Sequence, residues 1–427
     1  MRDLCYCGRA ADAVRLLCDS GVRVEPRTYA LLLQECINRK EFRKGRVVHG
    51  QMVVSGYVPN EFLKTKLLIF YMKSGNMAVA EVFFGRLVDR TLISWNSMIA
   101  GYVQAGECDG IALDLFYQLR WSGLVPDQYT FASIFRACSS FATLEHGKRA
   151  HCVLMKCPIR ENVVVSSALL DMYFKCSNVP DGKRVFEESS ERNVVTWTAL
   201  ISGYGLHGMA AEVLDCFREM VNGGFRPNYV TFLAVLSACC HRGMVDEGWE
   251  YFTSMNGVYG IQPRRQHYAA MVDLLGRAGR LEEASQLIMK SPCKEHPVIW
   301  GALLESCRTY GVGDLLQHAA KKYFELEPEN AGKYVVLCNA YATFGFWDNV
   351  AAVRKVMRDS GMAKEPAYSR IEVKAKVHFF FKGDNSHEES ERILAMAKDI
   401  QNVLRDITCL PEIGPSRERS SLSECVP

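Results

Sequence analysis

The sequence predicts an all-α protein: a superhelical solenoid of helix–turn–helix repeats, with a short β-hairpin near the C-terminus. Three observations predict it. First, the chain repeats itself. Ile93-Ser94-Trp95-Asn96-Ser97-Met98-Ile99, followed by Gly101-Tyr102, returns as Val195-Thr196-Trp197-Thr198-Ala199-Leu200-Ile201 with Gly203-Tyr204, at an offset of 102 residues (197 − 95). Second, apolar residues inside each copy fall at i, i+3, i+4 and i+7, the spacing of one helix face. Third, Gly and Pro punctuate these stripes, as at Gly106 to Gly110 and again at Gly123 and Pro126.

Composition sets the outer limits. With 427 residues, 48% of them hydrophobic and 23% charged, the chain can bury a large core and is not globally disordered. No run of eighteen apolar residues occurs, so no membrane-spanning helix is expected. A net charge of +3 neither requires nor excludes a polyanionic partner. The cysteine count, 17, is odd, the residues are scattered and no C-x-x-C pair exists, so cysteine reads as a small apolar filler in a reduced interior.

In chain order, residues 1–25 read as a partial repeat, with Leu4, Ala11, Val14 and Leu17 along one side of a helix. Arg2, Arg9 and Arg15 give it a faint likeness to a mitochondrial presequence; Asp3, Asp12 and Asp19 oppose that, so no clear transit peptide is assigned. Units follow at 26–60, 61–91, 92–127, 128–162, 163–193, 194–228, 229–264 and 265–296. Their lengths, about 31 to 36 residues, suit two antiparallel helices each, in triplets of slightly different units. In 92–127, Trp95, Met98, Ile99 and Tyr102 form the first stripe and Ala112, Leu113, Phe116 and Leu119 the second. The unit 194–228 does the same with Trp197, Leu200, Ile201 and Tyr204, then Leu214, Phe217 and Met220. One such hairpin cannot bury both faces alone, so neighbours must stack and leave an extended inner surface. Residues 297–365 look repeat-like. Within 366–405, Ile371, Val373, Ala375, Val377 and Phe379 alternate with Glu372, Lys374, Lys376, His378 and Phe380 at strand period. Phe379, Phe380 and Phe381 read equally as a partner-docking surface or as buried side chains. Residues 406–427, ending SRERSSLSECVP, read as a disordered tail.

The strings SWNSMIAGYVQAG, TFASIFRAC, LEHGKRAH, ALLDMYFKC and HYAAMVDLLGRAGRLEEA resemble the plant pentatricopeptide repeat family, in the subclass that alternates three repeat lengths. VIWGALLESCR, FELEPEN and YVVLCNAYATFGFWDNVAAVRKVM resemble its E motifs (297–365), and IEVKAKVHFFFKGDNSH its E+ extension (366–405). The family usually has Gly near Ala375, in a hairpin turn. The resemblance implies sequence-specific binding of single-stranded RNA in an organelle, mitochondrion or, alternatively, chloroplast. It implies a role in choosing cytidines for C-to-U editing. The DYW deaminase domain that ends the family's full-length editors is not recognisable here. An editing role then implies a DYW-type deaminase or other editing protein recruited in trans through 297–405, with no catalytic residue, metal or cofactor in this chain.

The resemblance also implies which residues read RNA: the fifth and last of each repeat meet one base. Carried over, Asn96 and Asp127 imply uridine, while Ser167 with Asn193 and Thr198 with Asn228 each imply adenosine. Thr65 and Thr91 form a pair outside the familiar code. Second-position Ile93, Val164 and Val195 would sandwich bases. Ala132, Leu233 and Ala269 sit at position five of the remaining units and would act as spacers. The expected target is 5′-U-n-A-A-n-n. The plainer reading of any one of these polar residues is a helix cap or a solvated face.

Other suggestive features point away from catalysis. His387-Glu388-Glu389 matches H-x-E, half of the deaminase signature, but P-C-x-x-C does not follow it. Cys36, Cys138 and Cys239 share a register and read as core. His49 and His151 share another and read as packing or hydrogen-bonding residues. Gly276 and Gly279 follow no strand, so no nucleotide loop is expected. Two other functions stay open: an RNA-binding factor for splicing, stability or translation, and a protein-binding solenoid of tetratricopeptide type.

Overall fold

The computed structural model describes the chain apart from residues 2–3, 6–8, 21–22, 107–109, 158, 160–161, 190, 311, 344, 362–367, 374–375, 382–384, 388 and 409–427. It divides into two compact units, Met1–Lys364 and Glu365–Pro427.

The first unit is a stack of helix pairs. First helices lie at Pro26–Asn38, Glu61–Lys73, Leu92–Ala105, Gln128–Phe141, Val163–Lys175, Val194–Leu206, Tyr229–Arg242 and Arg265–Arg277. Each packs against the first helix of the next unit, making one continuous layer. Second helices such as Ile111–Trp121 and Ala210–Asn222 form the other layer. The pairs Pro297–Tyr310 with Gly313–Leu326 and Ala331–Thr343 with Trp347–Asp359 continue the stack.

Both stripes of unit 92–127 are buried: Trp95, Met98, Ile99 and Tyr102 on the first helix, Ala112, Leu113, Phe116 and Leu119 on the second. Their counterparts in 194–228 are buried as well. The repeating glycines have a packing cause. A Cβ at Gly101 would fall on the Met72 side chain, and one at Gly203 on the Phe174 ring. Met72 and Phe174 are themselves 102 residues apart (174 − 72), so one close helix–helix approach recurs in two triplets. At Gly203, where the neighbour is a rigid buried ring, only glycine leaves room for it.

The start of six of these eight first helices is set by a polar residue that ends the preceding unit. Asn60, Thr91, Asp127, Asn162, Asn193 and Asn228 each accept a backbone N–H from the first turn. Such a cap stabilises a helix by about 1 kcal/mol.

The second unit holds the expected hairpin. Strand β1 (Tyr368–Val373) runs antiparallel to β2 (Lys376–Phe381), with Tyr368 opposite Phe381 and Val373 opposite Lys376. The turn position Ala375 lies outside the described residues. A helix, Ser390–Thr408, follows and runs past residue 405. The rest of the expected tail, from 409, lies outside the described residues.

Candidate nucleic-acid interface

The candidate pairs meet where one unit ends and the next begins. Asp127 caps Gln128–Phe141: its Oδ1 accepts the Thr130 N–H at 2.9 Å. The same oxygen accepts from Asn96 Nδ2 at 2.9 Å. Because a carboxylate only accepts, this contact fixes which end of the Asn96 amide faces Asp127. The other end, Oδ1, accepts the Thr130 hydroxyl at 2.6 Å. Among the described residues nothing occupies Asp127 Oδ2. The half-buried pair therefore keeps one amide N–H to donate and carboxylate and amide lone pairs to accept. Uracil offers the complement on its Watson–Crick edge, a carbonyl beside an N–H.

The Thr198 and Asn228 pair is bonded too, with a different outcome. Thr198 Oγ1 donates to the Val194 carbonyl at 2.6 Å. Its proton is then spent, so it accepts from Thr231 Oγ1 at 2.9 Å and from Asn228 Nδ2 at 3.3 Å. Thr198 is 9% exposed, and its hydroxyl has no capacity left. What this pair still offers is the second N–H of Asn228, whose Oδ1 is occupied by the Val230 and Thr231 N–H groups at 2.8 and 3.0 Å.

No hydrogen bond joins Ser167 to Asn193 among the described residues. Ser167 Oγ donates to the Val164 carbonyl at 3.0 Å and keeps its lone pairs. Asn193 Oδ1 caps Val195 and Thr196 at 2.8 and 3.0 Å, and among the described residues nothing bonds its amide N–H groups. An acceptor beside a donor suits adenine, whose N6 donates and N1 accepts. Thr65 Oγ1 donates to the Glu61 carbonyl at 3.0 Å, and Thr91 caps Ser94 at 3.4 Å; those two are not bonded to each other.

Beside these pairs runs a row of apolar residues that the core does not bury. Ile93 is 63% exposed, Val164 59% and Val195 53%. Two residues absent from the sequence expectation share their second-position register: Phe62, 51% exposed, and Tyr129, 66% exposed. Five consecutive units thus each hold an exposed apolar side chain at the start of the first helix. Core packing does not account for them, and apolar side chains at regular intervals beside polar pairs can hold flat rings.

Comparison with known proteins meets this arrangement directly. The family model described as "PPR repeat" matches residues 93–124, 230–257 and 267–291, and "PPR repeat family" matches 192–241. A pentatricopeptide repeat-containing protein of Arabidopsis thaliana is 54% identical over 413 residues, 96% of this chain and 82% of that one. The chain belongs to the pentatricopeptide repeat family. Two further Arabidopsis thaliana members, named as mitochondrial and chloroplastic, are each 37% identical and cover 94% and 92% of this chain. The chain spans 62% and 49% of those two relatives. The model described as "E motif" matches 313–372, which overlaps the expected 297–365 and reaches β1. Among solved structures, the pentatricopeptide repeat protein PPR10 in complex with an 18-nt psaJ RNA element superposes with a TM-score of 0.61. It is 14% identical and covers 83% of this chain, which covers 59% of it, a likeness of fold.

The remaining sequence candidates of this pentatricopeptide repeat chain fall in its scaffold. Cys36, Cys138 and Cys239 are fully buried, and burial pushes the Cys36 and Cys239 thiols up to about 11. His49 Nδ1 bonds the Tyr71 hydroxyl at 2.7 Å, and His151 Nδ1 bonds that of Tyr173 at 2.8 Å. Burial lowers the pKa of both histidines. His387 does not stand alone: its Nδ1 accepts the Glu389 N–H at 3.1 Å, so its Nε2 donates to His378 Nδ1 at 2.8 Å.

Proposed function

We propose that this protein binds single-stranded RNA sequence-specifically in an organelle, one base per unit, and selects sites for C-to-U editing. The observation that carries the reading is the coincidence, in successive units, of an exposed apolar side chain with unspent donors and acceptors two to three residues from it. That combination suits an unstacked nucleotide: a ring held between apolar neighbours and an edge tested by hydrogen bonds. It supports base reading by Asn96 with Asp127, Ser167 with Asn193, Thr65 with Thr91 and Thr198 with Asn228, the last through the remaining Asn228 N–H, flanked by Ile93, Val164 and Val195. PPR10's RNA-bound structure and the organelle names of the relatives support the same reading; those names include both mitochondrion and chloroplast.

The E motif match favours an editing role over splicing or translation, with a DYW-type deaminase or other editing protein recruited through 297–405. In that role the chain is not itself the enzyme. A gel-shift series on RNA carrying 5′-U-n-A-A-n-n, with each A changed to G in turn, tests the base assignment. Weaker binding to each variant is expected; equal binding to all would reject it. Organelle RNA sequencing in a null mutant tests the editing role, which requires loss of one or a few C-to-U events.

A further inference from the structure

Resting on that RNA-reading proposal, we infer that Thr130 is a positioning residue for base choice: it sits in the neighbouring unit and orients Asn96. Thr130 is fully buried, so it meets no ligand. Its hydroxyl does two things. It accepts the Asp127 N–H at 3.2 Å, closing the cap, and its one proton faces two acceptors, Asn96 Oδ1 at 2.6 Å and Asp127 Oδ1 at 3.0 Å, of which the nearer takes it. The Asn96 amide is thereby held at both ends, Nδ2 by Asp127 and Oδ1 by Thr130. Two anchors fix the plane of the amide, and with it the direction of the remaining N–H and lone pair. With one anchor, the amide turns about its terminal torsion, which is broad and roughly two-fold. Uracil and cytosine differ in the order of donor and acceptor on their reading edges, so a turning amide separates them poorly.

The chain contains its own control. Thr196 occupies the same register two units on, is equally buried, and closes the same kind of cap, with its Oγ1 3.0 Å from both Asn193 N and Asn193 O. Yet its hydroxyl is spent on Asn193 and reaches no fifth-position side chain. Cap closure and reader orientation are therefore coupled at Thr130 and separate at Thr196. The reach is a property of the boundary, not of threonine at this register: Thr231 reaches the shorter Thr198 at 2.9 Å.

The test measures Kd of the full chain for single-stranded RNA carrying 5′-U-n-A-A-n-n and for the same RNA with U replaced by C. Thermal melting of each variant runs in parallel. Thr130→Val is expected to shrink the preference for U over C about tenfold, the effect of one orienting hydrogen bond. Thr130→Ser, which keeps the hydroxyl, restores the preference. Thr196→Val loses a comparable cap and melts lower, but leaves the U-over-C ratio unchanged. An undiminished ratio in Thr130→Val, or an equal fall in Thr196→Val, would overturn the inference while base reading stands. Equal binding of both RNAs by the unsubstituted chain would overturn base reading itself and this inference with it.

Discussion

The boundaries after units 92–127 and 194–228 use one plan and end in different states. Both place a polar fifth residue, a capping last residue and a fully buried threonine within hydrogen-bonding distance. At the first, Asn96 keeps donor and acceptor capacity after bonding Asp127 and Thr130. At the second, Thr198 spends its proton on its own helix and its lone pairs on Thr231 and Asn228. The difference lies in the side chain: an amide has four hydrogen-bonding sites, a hydroxyl three. A register can therefore recur along the solenoid while what it offers a nucleotide changes from unit to unit.

That contrast can be broken or sharpened by substitution. The largest effect is expected at Tyr129, which stands in a unit whose fifth residue, Ala132, has no side-chain donor or acceptor. Tyr129→Ala should weaken RNA binding by about 1–3 kcal/mol, the scale of one aromatic–base stack, without changing base preference in a gel-shift series. Next, Asn96→Val should remove the preference for uridine at the first position, about 1–2 kcal/mol of discrimination, and also lower the melting temperature, since Asp127 and Thr130 each lose a partner. Thr198→Val should act mainly on stability. It strips partners from Thr231 and Asn228 and should cost about 1 kcal/mol of stability in thermal melts, while binding to the second A changes less than at Asn96.

The smallest effect is a pH dependence from His49 and His151. Burial lowers both pKa values in the folded chain, so the unfolded chain binds more protons. Their contribution to stability is complete above the ordinary histidine pKa of about 6.5 and declines as pH falls below it. Melting temperature should therefore drop between pH 7.5 and 5.5, and less steeply in the double variant His49→Gln, His151→Gln.

Much of this architecture was legible in the sequence because it is periodic. The offset of 102 residues, the apolar stripes and the Gly and Pro punctuation located the helix pairs, and Trp95, Tyr102, Trp197 and Tyr204 are buried as the stripes require. The interface was legible only in part, since its logic lies between units. Asn193 and Asn228 looked like alternatives, cap or reader; the structure has Oδ1 capping and Nδ2 turned elsewhere, so one residue can serve both ends. Phe62 and Tyr129 share the register of Ile93, and that register is their signal in the sequence. Thr130 and Thr231 recur at matched positions, 101 residues apart (231 − 130), but the sequence does not show what they bond. They lie 34 and 33 residues from Asn96 and Thr198, and only stacking brings them together. In the hairpin, strand alternation from Ile371 marked the core of the pairing but not its start at Tyr368.

The central claim is that the fifth and last side chains of a unit choose the base it holds. Transplanting one pair tests it most directly: Asn96→Thr with Asp127→Asn gives unit 92–127 the pair found in 194–228. Binding should then shift from RNA with U at the first position to RNA with A there, with the preference for A at the two later positions unchanged. A double variant that still prefers U, or that binds all four nucleotides at that position alike while the unsubstituted chain does the same, would contradict the account.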